Sequence, residues 1–209
     1  MQTILICPLG QAPGVVTGTL DALKDADPPV AVDKVVLLWL QHPGDEKMGM
    51  CPETVRILRE EFADCYKNID LDIQSGRLTL ADVKEGPSNQ LFYQKVVDVI
   101  EHAKAEQGTQ LLVSVSGGRK TMAALTFLAA AVRGVGIVKN LYHLVVDDDI
   151  EEIGRPDSWT GDIDRRQNAL HPPKDKRKLI ELPSPQEIIR FHQTPGAPPP
   201  SPREVVGRK

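Results

Sequence analysis

Two short segments bring glycines, polar side chains and cations together at places where an apolar run gives way to helical spacing. The first is Leu9-Gly10-Gln11-Ala12-Pro13-Gly14-Val15-Val16-Thr17, whose glycines let the backbone approach a ligand closely. The second is Ser114-Val115-Ser116-Gly117-Gly118-Arg119-Lys120-Thr121-Met122, which sets two cations at the mouth of a helix. Cations at a helix N-terminus oppose the helix dipole, and an anionic ligand resolves that conflict. Arg119 is suited to fork onto a phosphate, and Lys120 to act as a mobile point charge beside a nest of backbone NH groups.

Neither turn is a common phosphate motif. The first has glycines at 10, 14 and 18 and so lacks GxGxxG. The second ends in Lys120-Thr121 as a Walker A loop does, but the required glycines fall at Ser114 and Arg119, which argues against a P-loop ATPase. Other candidates are weaker. His143 reads as a half-buried strand histidine, while His42, His102, His171 and His192 are scattered. Asp147, Asp148 and Asp149 read as loop charge or helix caps, Cys7 as strand core, and Trp39 as either a cleft wall or simple packing. Cys7, Cys51 and Cys65 are an odd number without CxxC or Cys/His metal spacing, so no metal or other cofactor is expected and a reduced, cytoplasmic compartment fits best.

The elements that position the two turns follow from periodicity. Thr3–Leu9 and Lys34–Leu40 are β-branched, apolar strand runs, each followed by helical spacing: Val16, Leu20 and Leu23, then Val55, Leu58 and Phe62. The second run leads into a Pro43-Gly44 turn, and Pro52 suits the first helical position. Leu71–Leu80 reads as two short strands around Ser75-Gly76, and Ser88 as the cap of a helix with Phe92, Val96, Val99 and Ala103 inward. Gln110–Ser116 is apolar on nearly both faces and feeds a buried helix that Gly134 stops, and Leu141–Val146 is a further strand. Alternating strands and helices predict an α/β fold, a Rossmann-like three-layer sandwich with a mostly parallel central sheet.

The chain of 209 residues divides into residues 1–153, carrying that domain, and a C-terminal extension, 154–209. In the extension a strand over Lys178–Leu182, a short helix over Pro185–His192 and a mobile Pro-rich end from Thr194 are expected. Residues 171–209 hold eight Lys/Arg and four Asp/Glu, so a total charge of −4 leaves −8 on residues 1–170. Lys174, Lys176, Arg177 and Lys178 read as a lid or as a solvated loop. An acidic balance excludes a surface that coats duplex nucleic acid but leaves room for a local basic pocket. No apolar run is long enough to span a bilayer, so no membrane partner is expected. Arg166 and His171 match RxxxxH, a spacing used by ribonucleases, in a polar stretch with no apolar helix pattern, and read as coincidence.

The pairing of ILICPLGQAPGVVTGTLDAL with LLVSVSGGRKTMAALTFLAAA resembles the CRISPR-associated Rossmann fold (CARF) superfamily, and within it the small stand-alone CRISPR-associated ring nucleases. Their opening reads like LGTSPxVVTETLYAL and their second motif like SxxGGRKTM. The resemblance implies a homodimer that binds cyclic oligoadenylate across its two-fold axis and cleaves the ring, most often cyclic tetra-adenylate, to linear di-adenylate with a 2′,3′-cyclic phosphate and without a metal. Carried onto this chain it gives Lys120 and Gln11 as catalytic residues, and Gly10, Ala12, Pro13, Ser116, Gly117, Gly118, Arg119 and Thr121 as ligand-binding. The family's Thr-Ser before the proline is Gln11-Ala12 here, so a hydroxyl is missing. A non-catalytic cyclic oligoadenylate sensor or sink is therefore the alternative to an enzyme.

Overall fold

A computed structural model describes residues 1–43, 50–194 and 198–205; Gly44 and the Cys51 side chain fall outside that description. Strand β1 (Gln2–Pro8) is followed by α1 (Gly14–Asp25), β2 (Lys34–Gln41) by α2 (Met50–Asp64), and two three-residue strands come next, β3 (Asp70–Asp72) and β4 (Arg77–Thr79). Then come α3 (Gly86–Ala105), β5 (Thr109–Ser114), α4 (Lys120–Arg133) and β6 (Val138–Val146). The sheet order is β3-β2-β1-β5-β6, with β4 also on β2, and every pairing among these strands is parallel.

Period-two alternation decides which helix each strand residue meets. Ile4, Ile6, Val36, Leu38, Leu111 and Val113 point to one face, where they bury Phe92, Val96 and Ile100 of α3 and Met122, Ala129 and Ala130 of α4. Leu5, Cys7, Val35, Leu37 and Leu112 point to the other, against Val16, Leu20 and Leu23 of α1 and Val55, Leu58 and Phe62 of α2. The helices thus lie on both sides of a mostly parallel sheet, as the alternation of elements implies.

Several local expectations are adjusted. Pro52 lies within the first turn of α2, which begins at Met50. Ser88 sits inside α3, where its hydroxyl accepts from the Glu85 NH at 3.1 Å. Trp39 is packed in the core and donates to the Ile73 carbonyl at 2.7 Å. His143 is exposed, because alternation along β6 buries its neighbours Tyr142 and Leu144 and turns it outward.

The C-terminal segment departs most from its sequence pattern. After α5 (Asp148–Glu152) come a 3-10 turn over Pro156–Trp159 and α6 (Ile163–Leu170), in a stretch whose periodicity announces no helix. An eight-residue helix with only Ala169 and Leu170 buried carries too short a stripe to read. Its signature is local: the Asp162 carboxylate caps it by accepting from Arg165 NH at 2.9 Å. β7 (Arg177–Leu182) then pairs antiparallel with β6, and α7 spans Pro185–Gln193. The end is not wholly loose, since Arg203-Glu204 form a two-residue strand, β8, on β7, and Val205 NH bonds Leu179 carbonyl at 2.8 Å. The basic residues bind the acids of α1 and α5: Arg177 pairs with Asp25 at 2.7 Å, Lys174 with Asp25 at 3.4 Å, and Lys176 with Asp149.

Gly14 is where this segment meets the sheet domain. A Cβ there would lie 1.9 Å from the Ala169 carbonyl oxygen, so only glycine lets the end of α6 rest on the start of α1. The Thr17 hydroxyl donates to the Leu170 carbonyl beside it. Gly14→Ala is expected to cost about 1–3 kcal/mol through that overlap, read as a lower urea midpoint; an unchanged midpoint would show that α6 does not bear on α1.

Candidate functional site

Because β1 and β5 are parallel neighbours, the turns that follow them leave the sheet at the same end. α1 packs on one face and α4 on the other, so the chain diverges there and leaves a crevice between the two turns, the usual ligand position in an open α/β sheet. The turns touch: a Cβ on Gly10 would stand 3.0 Å from the Gly118 Cα, and Gly118 itself has φ +74°, a left-handed conformation that favours glycine. The two segments singled out by sequence, more than a hundred residues apart, are thus joined backbone to backbone.

A cavity of about 800 Å³ opens over this contact. Gly10, Gln11, Ala12, Ser116, Gly117, Gly118 and Arg119 are on its walls. Pro13, Lys120 and Thr121 are not. Pro13 is buried just before α1, whereas Lys120 is the first residue of α4, exposed beside Arg119. The Ser116 hydroxyl is turned to β6, where it accepts from Leu144 NH and stands 3.4 Å from His143 Nδ1.

The electrostatics differ from a simple basic pocket. Arg119 is ion-paired with Asp82, which follows β4 and shares the cavity wall. Burial pushes the Asp82 carboxyl up, but hydrogen bonds from Lys84 and Val83 NH and the charge of Arg119 outweigh it and hold the group below the usual range. A second arginine, Arg155, also lines the cavity, with Glu151 and Gly154, and its guanidinium has no ion pair among the described residues. Two arginines and two carboxylates thus line the cavity, and an anion must compete with Asp82 for Arg119. Sequence reading missed Asp82, Glu151, Arg155 and His42, which also lines the cavity. They come from the segments that follow β2, β4 and β6, Glu151 from α5 and the others from loops, with no motif of their own, and only the parallel order of the sheet would have placed them at this end.

Among the described residues no helix is long and apolar enough to cross a membrane. Arg166 and His171, the RxxxxH pair, are engaged with carboxylates away from the cavity: Arg166 with Glu60 at 3.7 Å, His171 with Asp21 and Glu61, each at 2.9 Å.

Gly118→Ala is expected to cost about 1–2 kcal/mol from the left-handed backbone, with further crowding of Met122, whose Sδ would be 2.9 Å from the new Cβ. Urea denaturation checks this; a wild-type midpoint would mean that the turn relaxes freely.

Comparison with known proteins agrees with this architecture. Among solved structures, Csm6 of Enterococcus italicus, bound to cyclic hexa-2′-fluoro-hexa-dAMP, is similar with a TM-score of 0.57 at 15% identity. The match covers 92% of this chain and 43% of that one, so the chain spans less than half of the Csm6 length. At that identity the likeness concerns the fold. No curated protein matches the sequence. Residues 12–196 match the family described as CRISPR-associated protein NE0113, which takes in both glycine turns from Ala12 onward and most of the C-terminal segment. The chain belongs to this family of CRISPR-associated proteins and has a CARF-type fold.

Proposed function

We propose that the chain binds cyclic oligoadenylate in the crevice between the β1 and β5 turns and cleaves it as a ring nuclease, removing a signal of CRISPR antiviral defence. The observation that carries the reading is the Gly10–Gly118 contact under the 800 Å³ cavity, which puts two backbone turns and Arg119 against one ligand-sized space. The Csm6 structure of similar fold holds a cyclic hexanucleotide analogue, which supports a ring as the ligand. A twofold-symmetric ring suits a homodimer in which each copy supplies the same turns. The exposed Leu91 of α3 and Leu128 and Val132 of α4 offer an apolar face to a second copy. Residues 1–153 act as the binding domain, and 154–209 buttress it and contribute Arg155.

The reaction is attack of a ribose 2′-oxygen on the adjacent phosphorus, forming a P–O2′ bond and breaking P–O5′. The 2′-OH proton is lost and the leaving 5′-oxygen gains one, giving a 2′,3′-cyclic phosphate and a 5′-OH. The protein's task is to hold the three atoms in line and to stabilise charge on the phosphoryl oxygens. Arg119 and Arg155 grip phosphates, Gln11 hydrogen-bonds a phosphate or 2′-OH, and the exposed Lys120 at the α4 N-terminus reaches over the scissile phosphate. Bound phosphate replaces Asp82 as the partner of Arg119.

A binding-only sensor or sink is the second reading. It is favoured by Ala12, which has no hydroxyl, and by the Ser116 hydroxyl, which is committed to the Leu144 NH.

Incubating the chain with labelled cyclic tetra- and hexa-adenylate in EDTA is expected to yield linear products ending in a 2′,3′-cyclic phosphate, with Lys120→Ala at least about 100-fold slower. Tight binding with an intact ring after prolonged incubation would establish the sensor; no binding to either ring would remove both readings. Asp82→Asn, by releasing Arg119, is expected to tighten ring binding by up to about tenfold, or ~1.4 kcal/mol. Calorimetry checks it, and an unchanged or weaker affinity would mean that Arg119 does not transfer to phosphate.

A further inference from the structure

Beside Asp21, in the later part of α1, and the end of α2, a cluster of side chains is left unused by the function proposed above. Glu61 lies in the last turn of α2 and Cys65 just past its end, where its NH donates to the Glu61 carbonyl at 2.8 Å, and His171 reaches them from the end of α6. One ligand atom from each, a carboxylate oxygen, Sγ and an imidazole nitrogen, all lie within 4.8 Å of one another. None of the three lines the large cavity.

We propose that Glu61, Cys65 and His171 form a structural zinc site that fastens the C-terminal segment to the sheet domain. Three features carry it. The imidazole orientation is already fixed as a metal ligand's is: Nδ1 meets Asp21 Oδ2 at 2.9 Å, and Asp21 in turn accepts from Tyr66 OH at 2.7 Å with Arg177 at 3.5 Å. That leaves Nε2 directed at Glu61 Oε1, 2.9 Å away, in the carboxylate–histidine–metal arrangement. The Tyr66 ring, stacked at 6.1 Å between centroids, holds the imidazole plane from the side.

The second feature is the donor set. Thiolate, imidazole and carboxylate together suit a borderline-soft ion such as zinc and not magnesium or calcium, which take oxygen. Tetrahedral zinc with bonds of about 2.0–2.3 Å separates its ligand atoms by roughly 3.3–3.6 Å. The Nε2–Glu61 pair has to open and the thiol to close by only a small side-chain rotation. Cys65 is exposed, so water completes the fourth position.

The third feature is charge. Without metal, only the imidazolium form of His171 can donate to Asp21 and Glu61 at once, each at 2.9 Å, and the Cys65 thiol keeps its proton. Zinc binding forms Zn–Nε2, Zn–Sγ and Zn–O bonds and releases the thiol and Nε2 protons to solvent. One dication replaces two protons, so the cluster's net charge, balanced against Asp21, Asp25, Arg177 and Lys174, does not change. The gain is in the tether. α6 is already held by the Gly14 and Thr17 contacts, and the ion adds a cross-link between α2 and residue 171, behind the stretch that brings Gly154 and Arg155 to the cavity.

The test is a Co2+ and Zn2+ titration of the full chain, freed of metal beforehand by a chelator and then dialysed. Co2+ is expected to give a thiolate-to-cobalt charge-transfer band and the visible bands of a tetrahedral centre. An equivalent of Zn2+ should bleach both and raise Tm. Cys65→Ser, at an exposed position, should abolish the charge-transfer band while circular dichroism stays that of wild type, and Cys51→Ser should keep it. His171→Gln should weaken Zn2+ binding at least about tenfold. No charge-transfer band in the wild type, or the same band in Cys65→Ser, overturns the proposal; if His171→Gln does not fold, the Cys65 variant decides alone. Ring cleavage plays no part in this readout, so the site and the proposed activity stand or fall separately.

Discussion

β1 and β5 lie side by side in the sheet with Leu5 opposite Leu112 and Ile6 opposite Val113, and the chain leaves these neighbours toward opposite faces. Everything at the site derives from that divergence. Two parallel strands must end at one edge, two helices packed on opposite faces cannot close the gap between them, and the turns that bridge the gap must run close together. Gly10 and Gly118 satisfy the last condition: a side chain at Gly10 would press on the Gly118 backbone, and Gly118 takes the left-handed conformation that turns the chain there. The apolar core is thus the reason the site exists, because the period-two burial of both strands leaves the helices no other side to take.

The charge distribution acquires a structural meaning from the same frame. A basic C-terminal stretch beside an acidic sheet domain looks like a lid waiting for a polyanion. Much of that positive charge is instead committed to protein carboxylates, with Arg177 and Lys174 on Asp25 and Lys176 on Asp149. Arg177 is nearly buried at 9% side-chain exposure, so its charge is held between α1 and β7. Opposite charges on the two parts serve first to join them, and what remains for a ligand is the pair Arg119 and Arg155 with Lys120 at the edge.

Legibility from sequence follows how local each feature is. The strand and helix series from Thr3 to Val146 is readable because each element carries its own periodicity, and the glycine turns are readable because backbone approach demands glycine wherever it occurs. α6 is not readable, since two buried residues make no stripe, and β8 is not, since two residues pair only because β7 is already there. Asp82 and Arg155 are invisible for a different reason: each is an ordinary charged loop residue until the sheet brings its loop to the cavity. The His171 cluster joins residues 21, 61, 65 and 171, and no spacing rule links two residues four apart at a helix end to a histidine over a hundred positions later.

The Asp82–Arg119 pair bears on how such a cavity can be selective. An arginine held free at a helix mouth would attract any small anion, because the NH groups of the turn and the guanidinium are both ready to bind. Pairing it with a carboxylate on the same wall makes single phosphates poor competitors, since each must displace Asp82 for one contact, and the pair, with Arg119 more than half exposed, is itself weak enough to exchange. A ligand with several linked phosphates, as in the function proposed, would meet Arg119, Arg155 and the turns together, so that its later contacts would be made within one complex and offset the cost of the first. For the proposed ligand, a neutral balance of arginines and carboxylates would discriminate by valency, and the acidity of the domain as a whole would work in the same direction.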